Sequence, residues 1–225
     1  MPHSNSVSFG NERYEENDEF PLMYCNVYNN YASKEDKLLG VTCVYRIKRQ
    51  GNEFESELVQ IIEIGFTNDL IWKSENKNDV RPYGNIAIDV KDLVYYAFTM
   101  RDEDRTTRFF AFELPKLNDG VFDEKYEVKR VVLEKKDIKH YFDCPYQRFM
   151  QGACVHQGIA YTVEGFTNME SAPPVLRLID LKEKKEIAVY KFGDFELNVE
   201  PEFIDFEDGI CYYADDYGNL FELAF

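Results

Sequence analysis

The chain has 225 residues, of which 44% are hydrophobic and 16% aromatic, and its 42 acidic against 26 basic residues give a formal net charge of −16. This length suits one large domain or two small ones. Nucleic-acid binding needs a cationic face that displaces counterions, so the acidic balance argues against a nucleic-acid partner. No apolar run approaches the roughly 20 residues of a transmembrane helix. The opening "MPHSNSVSFG" lacks the basic and then apolar order of a signal peptide.

Four segments repeat one pattern, in which an apolar strand is followed by a short turn and a strand that carries tyrosine. Asp-Gly between alternating apolar runs is a strong hairpin signal, and it occurs in the last segment. In the first segment the hairpin loop is enlarged by an acidic insertion at residues 11–19, which we predict to be solvated. The segments are "NSVSFGNERYEENDEFPLMYCNVY", "GNIAIDVKDLVYYAFTM", "QGACVHQGIAYTVEGF" and "EPEFIDFEDGICYYADD".

Further strands follow each of the first three hairpins. We predict third strands in "GVTCVYRIKRQ", "TTRFFAFELPKL" and "PPVLRLIDLKEKKEIAVYKF", the last of which turns into a fourth strand. "SELVQIIEIGF" and "YEVKRVVLEKK" are predicted as the fourth strands of the first two units. Four-stranded antiparallel units repeated at roughly 45 to 70 residues are typical of a β-propeller.

The predicted fold is therefore all-β: one propeller domain over residues 1–225, with about three complete blades and a three-stranded last blade. The predicted blades are residues 5–66, 84–138, 151–193 and 200–225. A β-sandwich, which also has many short strands at regular spacing, is the alternative. A three-stranded last blade would expose a strand edge, and self-association through that edge is one way to cover it.

Four of these stretches resemble a group of six-bladed β-propeller proteins of gut bacteria, of the TolB-like or NHL-like type. The resemblance implies a secreted or lipid-anchored protein in the periplasm or outside the cell, whereas the chain as written would stay in the cytoplasm. Members of the group usually carry further residues upstream, so we expect an N-terminally shortened chain, with a compact four-bladed ring as an alternative. The stretches are "HSNSVSFGNERYEENDEFPLMYCNVYNN", "MQGACVHQGIAYTVEGF", "LRLIDLKEKKEIAVYKF" and "EPEFIDFEDGICYYADDYGNLFELAF".

Polar residues occur just before each predicted inner strand, and inner strands line the channel of a propeller. A ring would bring Asn5, Asn85, Gln151 and Glu200 together near its axis. Amide and carboxylate oxygens suit Ca²⁺, and arginines suit a carboxylate or phosphate. The candidate ligand-binding residues at this channel mouth are His3, Asn5, Arg81, Asn85, Arg148, Gln151 and Glu200.

Two functions fit this mouth. The first is a non-catalytic module that binds a small polar molecule, a glycan or a protein. The alternative is a metal-dependent hydrolase or lyase, because the sugar-lactonase type of propeller holds a divalent metal with Glu, Asn and Asp residues. Asn5, Asn85 and Glu200 are similar in kind, although no general base is evident beside them. We predict no catalytic residue.

Other residues with possible chemistry have a structural interpretation. Cys25 and Cys43 lie on consecutive predicted strands and are expected to face each other as buried free thiols, because directly opposed strand positions strain a disulfide. Trp72 is interpreted as a plug between blades, with stacking on a sugar as the alternative. His140 is assigned to a linker and His156 to a solvated hairpin turn.

Overall fold

The computed structural model of the protein describes residues 4–28, 38–73, 80–101, 105–197 and 199–224, and the side chains of residues 80–83 are outside this description. Every long element in these ranges is a strand, and the two helical segments are single 3-10 turns at Lys135–Asp137 and Phe192–Phe195. No helix in the described ranges is long and apolar enough to cross a membrane. The prediction of an all-β fold is therefore confirmed.

The strands form four sheets arranged as a propeller-like ring, which we call the first to fourth blades in chain order. The first blade contains β1 (Val7–Phe9), β2 (Met23–Asn26), β3 (Val41–Gln50) and β4 (Glu53–Ile64). The second contains β5 (Val80–Asp89), β6 (Val94–Arg101), β7 (Thr106–Glu113) and β10 (His140–Pro145). Between β7 and β10 in the chain come β8 (Val121–Asp123) and β9 (Val128–Leu133), which belong to the sheet of the first blade. The third contains β11 (Met150–His156), β12 (Ile159–Glu164), β13 (Val175–Asp180) and β14 (Lys185–Lys191), and the fourth contains β15 (Pro201–Glu207), β16 (Ile210–Asp215) and β17 (Leu220–Leu223).

Strands β8 and β9 make the first blade six-stranded, and this departs from the prediction. β9 pairs parallel with β4, with Gln60 opposite Lys129 and Ile64 opposite Leu133. Predicting "YEVKRVVLEKK" as the fourth strand of the second blade was therefore wrong, and so was assigning His140 to a linker, since β10 takes that place beside β7. The pairing is favoured because Leu133 enters the core of the first blade and Arg130 bridges to Glu63 at 2.7 Å.

The apolar core lies in three layers between neighbouring blades. Tyr24, Val44 and Ile62 of the first blade pack with Tyr95 and Phe110 of the second. A second layer joins the other face of the second blade to the third, and a further layer joins the third to the fourth. The alternation of strand side chains explains this arrangement, because the second and third blades each present one set of side chains to the blade before and the other set to the blade after. Four tyrosines of the sequence repeat belong to these layers, namely Tyr95, Tyr96, Tyr161 and Tyr213, whereas Tyr212 is only half-buried.

Trp72 closes the layer between the first two blades. Its side chain is fully buried, stacks on Phe110 with ring centroids 5.3 Å apart, and meets the edge of Phe66 at 5.9 Å. Gly84, at a positive φ of 64°, approaches so closely that a Cβ there would lie 3.1 Å from the indole. Trp72 is thus a plug between blades, as predicted, and the alternative of sugar stacking was wrong.

The cysteines are structural. Cys25 and Cys43 are direct partners across β2 and β3, and all five cysteines are free thiols. Burial raises the pKa of Cys25 to about 12, so its sulfur stays protonated and unreactive at neutral pH. The prediction of opposed free thiols is confirmed, although Cys25 and Cys43 are half-buried and not fully buried as expected.

The fourth blade has three strands in the described residues, and β17 pairs there with β16 alone. Its outward side chains include Leu220, which is 64% exposed. An edge of this kind offers unpaired backbone groups to another strand. Self-association through this edge and an N-terminally shortened chain both stay predictions.

Candidate functional site

Four of the seven polar residues predicted at the channel mouth, Asn5, Asn85, Gln151 and Glu200, lie together near the start of the inner strands. The Asn5 side-chain amide donates to the Gln151 amide oxygen at 3.2 Å and to the Met150 carbonyl at 3.4 Å. The Asn85 amide donates to the same carbonyl at 3.4 Å. Gln151 in turn donates to the Glu200 carboxylate. We call Asn5, Asn26, Asn85, Gln151 and Glu200 the amide cluster.

Asn26 is the member of the amide cluster that the sequence analysis missed. It is 2% exposed, and its oxygen accepts from the backbone N–H groups of Asn5 and Ser6 at 3.0 and 2.8 Å. Its amide donates to the Gly84 carbonyl at 2.8 Å and to the Asn85 oxygen at 3.1 Å. Asn26 thus joins the first two blades. It ends β2 instead of preceding an inner strand, so the register that pointed to the others gave no signal for it.

The other residues predicted at this mouth are placed less fully. His3 and the side chain of Arg81 lie outside the described residues. Arg148 precedes β11, and its guanidinium lies over the Phe149 ring at 5.0 Å from the centroid. A ligand-binding role for all seven stays a prediction.

The oxygens of the amide cluster are largely engaged with one another, which bears on the predicted metal site. The amide oxygens of Asn85 and Gln151 and the Glu200 carboxylate each accept a hydrogen bond within the cluster. Of the cluster's side-chain oxygens, that of Asn5 is buried without a partner among the described atoms. The described ranges contain no group of three His, Cys, Asp or Glu residues placed to hold a metal. Ca²⁺ takes six to eight oxygens, so the donor set fits a self-satisfied network better than a calcium cage.

Glu200 is the member of the amide cluster whose negative charge is disfavoured by its surroundings. Its burial raises the pKa to about 7, and repulsion from Glu202 and Asp216 adds to the rise while the Gln151 hydrogen bond opposes it. Burial also raises the pKa of Glu202. The cluster therefore changes charge near neutral pH.

Glu200→Gln is expected to stabilise the protein more at pH 8 than at pH 4. The pKa of Glu200 is higher in the folded chain than its usual value of 4.5, so the unfolded chain ionises first as pH rises. The wild type then loses stability between about pH 4.5 and 7, whereas the variant lacks this loss. Melting temperatures across this range measure the difference. Glu124→Gln, at an exposed turn, is the control, and parallel wild-type and Glu200→Gln curves would contradict the prediction.

A cavity of about 700 Å³ occupies the opposite end of the channel, where the inner strands end. All four blades contribute to it: Phe9 from the first, Val90 from the second, His156 from the third and Phe206 from the fourth. The enlarged loop between β1 and β2 also contributes to the wall through Arg13, Glu19, Phe20 and Pro21. We call this space the lower cavity.

The lower cavity is lined by a stacked ring pair and by Ser8, whose hydroxyl oxygen has almost no accessible surface. Ser8 is 5% exposed, and its Oγ has no hydrogen-bond partner among the described atoms. The His156 ring stacks on Phe206 at 4.1 Å with an angle of 4° between the planes, and Tyr161 packs against Phe206 at 4.7 Å. His156 ends β11 at the hairpin turn, as predicted, but this stacking leaves it half-buried instead of simply solvated.

Some charged side chains at the lower cavity form ion pairs, whereas others bond only to backbone groups. Glu19 forms an ion pair with Arg49 at 2.9 Å, and Arg13 donates to the Asp18 carbonyl at 2.9 Å. Asp205 accepts from the backbone N–H of Phe206 at 2.9 Å. Burial raises its pKa to about 6, and the nearby Glu207 contributes to the rise.

Comparisons with known proteins give distant structural neighbours. No protein-family model matches the chain, and a search of curated proteins gives no match. The chain is similar to apo AztD from Citrobacter koseri at a TM-score of 0.36 and 10% identity, over 95% of this chain and 41% of the AztD chain. It is also similar to the computationally designed Ika8 protein at a TM-score of 0.32 and 8% identity, over 95% of this chain and 69% of the other. This chain thus spans less than half the length of AztD, and likenesses this distant do not bear on what it binds.

Proposed function

We propose that this protein is a non-catalytic β-propeller module that binds a small ligand in the lower cavity. The observation that carries the proposal is the contrast between the two ends of the channel. At the upper end the amide cluster satisfies most of its own hydrogen bonds. At the lower end a cavity of about 700 Å³ is lined by residues of all four blades, and the Asp205 carboxylate in its wall forms no ion pair with the described residues.

General features of ligand sites support this choice. Small-molecule pockets usually measure about 300 to 1,000 Å³ and combine apolar walls with a few convergent polar groups. The lower cavity has aromatic walls from Phe9, Phe20 and Phe206 and charged groups from Arg13 and Asp205. The walls come from separate blades, so the site depends on the assembled ring.

Val90→Trp is expected to weaken small-ligand binding, because the larger side chain occupies part of the cavity that Val90 lines. Val90 is 41% exposed at the end of the second inner strand, so a larger side chain there need not disturb the core. The measurement is a survey of small polar fragments by thermal melting, followed by calorimetry of each hit on the wild type and the variant. Hits should lose at least about tenfold in affinity, the equivalent of about 1.4 kcal/mol.

Val189→Trp is the matched control, because Val189 is 40% exposed on the outer strand β14. It should bind each hit as the wild type does. Fragments that bind equally to the wild type and Val90→Trp would place the ligand site elsewhere and contradict the proposal.

A further inference from the structure

We propose that the outer edge of the fourth blade is a docking site for a basic, extended segment of another polypeptide, which adds a strand beside β17. Strand addition of this kind gains affinity from backbone hydrogen bonds and specificity from side chains. Three features lead to this partner: the backbone groups that β17 directs outward, the acidic charge of the blade, and the protection of the other outer strands. β17 does not line the lower cavity, so this inference is independent of the proposed function.

The register of β17 shows which of its backbone groups point outward. Asp215 donates its backbone N–H to the Asn219 carbonyl at 3.2 Å, so these two residues form a hydrogen-bonded pair between β16 and β17. Hydrogen-bonded and non-hydrogen-bonded pairs alternate along antiparallel strands. Phe221 therefore bonds to β16, whereas Leu220 and Glu222 direct their N–H and C=O groups away from it. In the described part of the chain, no second strand pairs with β17.

The side chains of β17 divide between the two faces of the blade. Phe221 and Leu223 pack against the core layer that joins the third and fourth blades. Leu220 and Glu222 lie on the opposite face, and both are exposed. An added strand would therefore place apolar residues beside Phe221 and Leu223. Because opposite charges stabilise a cross-strand pair, the residue opposite Glu222 would be lysine or arginine.

The charge of the fourth blade also favours a basic strand. Residues 200–225 contain no lysine, arginine or histidine, and their eight acidic residues equal half of the net charge of −16. Complementary charge steers a basic segment to this edge, whereas a second copy would bring two acidic blades together. The acidic residues are Glu200, Glu202, Asp205, Glu207, Asp208, Asp215, Asp216 and Glu222.

The outer strands of the other blades carry features that hinder strand addition. In the third blade, β14 begins with Lys185 and ends with Lys191, and lysines protect an edge strand. In the second, β10 ends in Pro145, which has no N–H to donate. In the first, β8 is only three residues long. β17 contains neither lysine nor proline, so its edge is the one that a basic segment can extend.

The test compares three heptapeptides with blocked ends by calorimetry on the full chain: KVKVKVK, EVEVEVE and KVKPKVK. The first has the basic alternating pattern, the second reverses its charge, and the third keeps the charge but has a central proline that disrupts strand pairing. KVKVKVK should bind at least about tenfold more tightly than either of the others. Its affinity should fall as the salt concentration rises.

Variants of the edge locate the binding site. Leu220→Pro removes an outward N–H without removing a hydrogen bond to β16, and Glu222→Lys reverses the charge of β17. Each should weaken KVKVKVK binding by about tenfold or more. Val189→Pro on β14 is the matched control and should leave binding unchanged. Its N–H also points outward, because Phe192 donates to the Pro174 carbonyl and bonded pairs alternate from there.

Three results would overturn the inference. The first is that KVKVKVK does not bind, or binds no more tightly than KVKPKVK, which would leave only general attraction between opposite charges. The second is unchanged binding in both edge variants, which would place the peptide elsewhere. The third is a wild-type dimer that Leu220→Pro converts to a monomer in analytical ultracentrifugation, which would assign the edge to a second copy. Melting curves show whether each variant is folded, and Glu222→Lys alone decides the matter if Leu220→Pro is not.

Discussion

Replacing Glu164 with glutamine is expected to lower the free energy of unfolding by about 3 kcal/mol, because it breaks a buried ion pair and leaves a guanidinium without its main partner. The Glu164 side chain is fully buried at the end of β12 and accepts from Arg177 at 2.9 and 3.2 Å. It also accepts from the Gln147 backbone N–H at 2.7 Å and the Thr162 hydroxyl at 2.9 Å. The variant keeps the volume of the side chain and loses the charge that holds these donors.

Urea denaturation of the wild type and Glu164→Gln measures this cost. The control is Glu113→Gln, because Glu113 is 76% exposed and its contact with Lys139 is 3.9 Å long. That variant should change stability by less than about 0.5 kcal/mol. A cost below 1 kcal/mol for Glu164→Gln would mean that Arg177 is held by Glu186 alone, its other carboxylate partner.

Trp72→Ala is expected to destabilise the protein by about 3 to 5 kcal/mol, the usual range for removing a fully buried aromatic side chain. The indole contacts Phe66 and Phe110 and fills the space against Gly84, so its loss leaves a cavity between the first two blades. The backbone around Trp72 should resist collapse, because the Arg101 guanidinium binds the carbonyls of residues 71–73 at 3.0 to 3.2 Å.

The same denaturation experiment tests this prediction, with Tyr217→Ala as the control at an aromatic residue that is 74% exposed. The control should stay close to the wild type. Trp72→Phe should recover part of the loss, because a smaller ring still stacks on Phe110. A Trp72→Ala cost no larger than that of the control would rule out a structural role for the indole.

The hairpins could be predicted from sequence because their signals are local. In the last blade, Asp208 and Gly209 adopt the positive φ values of 51° and 80° that a tight turn between β15 and β16 requires. The acidic insertion was also recognisable as a loop between β1 and β2. Local turn chemistry and strand alternation fix such pairs without knowledge of the rest of the chain.

The position of β9 could not be predicted in the same way. Its residues read correctly as a strand, but a strand sequence does not state which open edge it joins. Here the nearer antiparallel edge on β7 is taken by β10, and β9 joins β4 in parallel. The choice depends on contacts made only in the folded protein, such as Arg130 with Glu63.

The two ends of the channel show the same contrast. Asn5, Asn85, Gln151 and Glu200 could be found because they recur at one register before the inner strands, and the structure brings them together. The lower cavity was missed, since its wall combines strand ends with a loop of irregular length. Applying the same register argument to the far ends of the inner strands would have indicated Phe9, His156 and Glu207.

The pairing of β8 and β9 with the first blade affects how the protein folds and how it unfolds under force. The first blade is complete only after residue 133 has left the ribosome, by which time three strands of the second are already available. The first and second blades therefore fold together as one unit, and the third and fourth blades fold afterwards as simple antiparallel meanders. Under a pulling force applied to the chain ends, the fourth blade should detach first. The first and second blades should separate last, because they share β8 and β9 and are also joined by the core around Trp72.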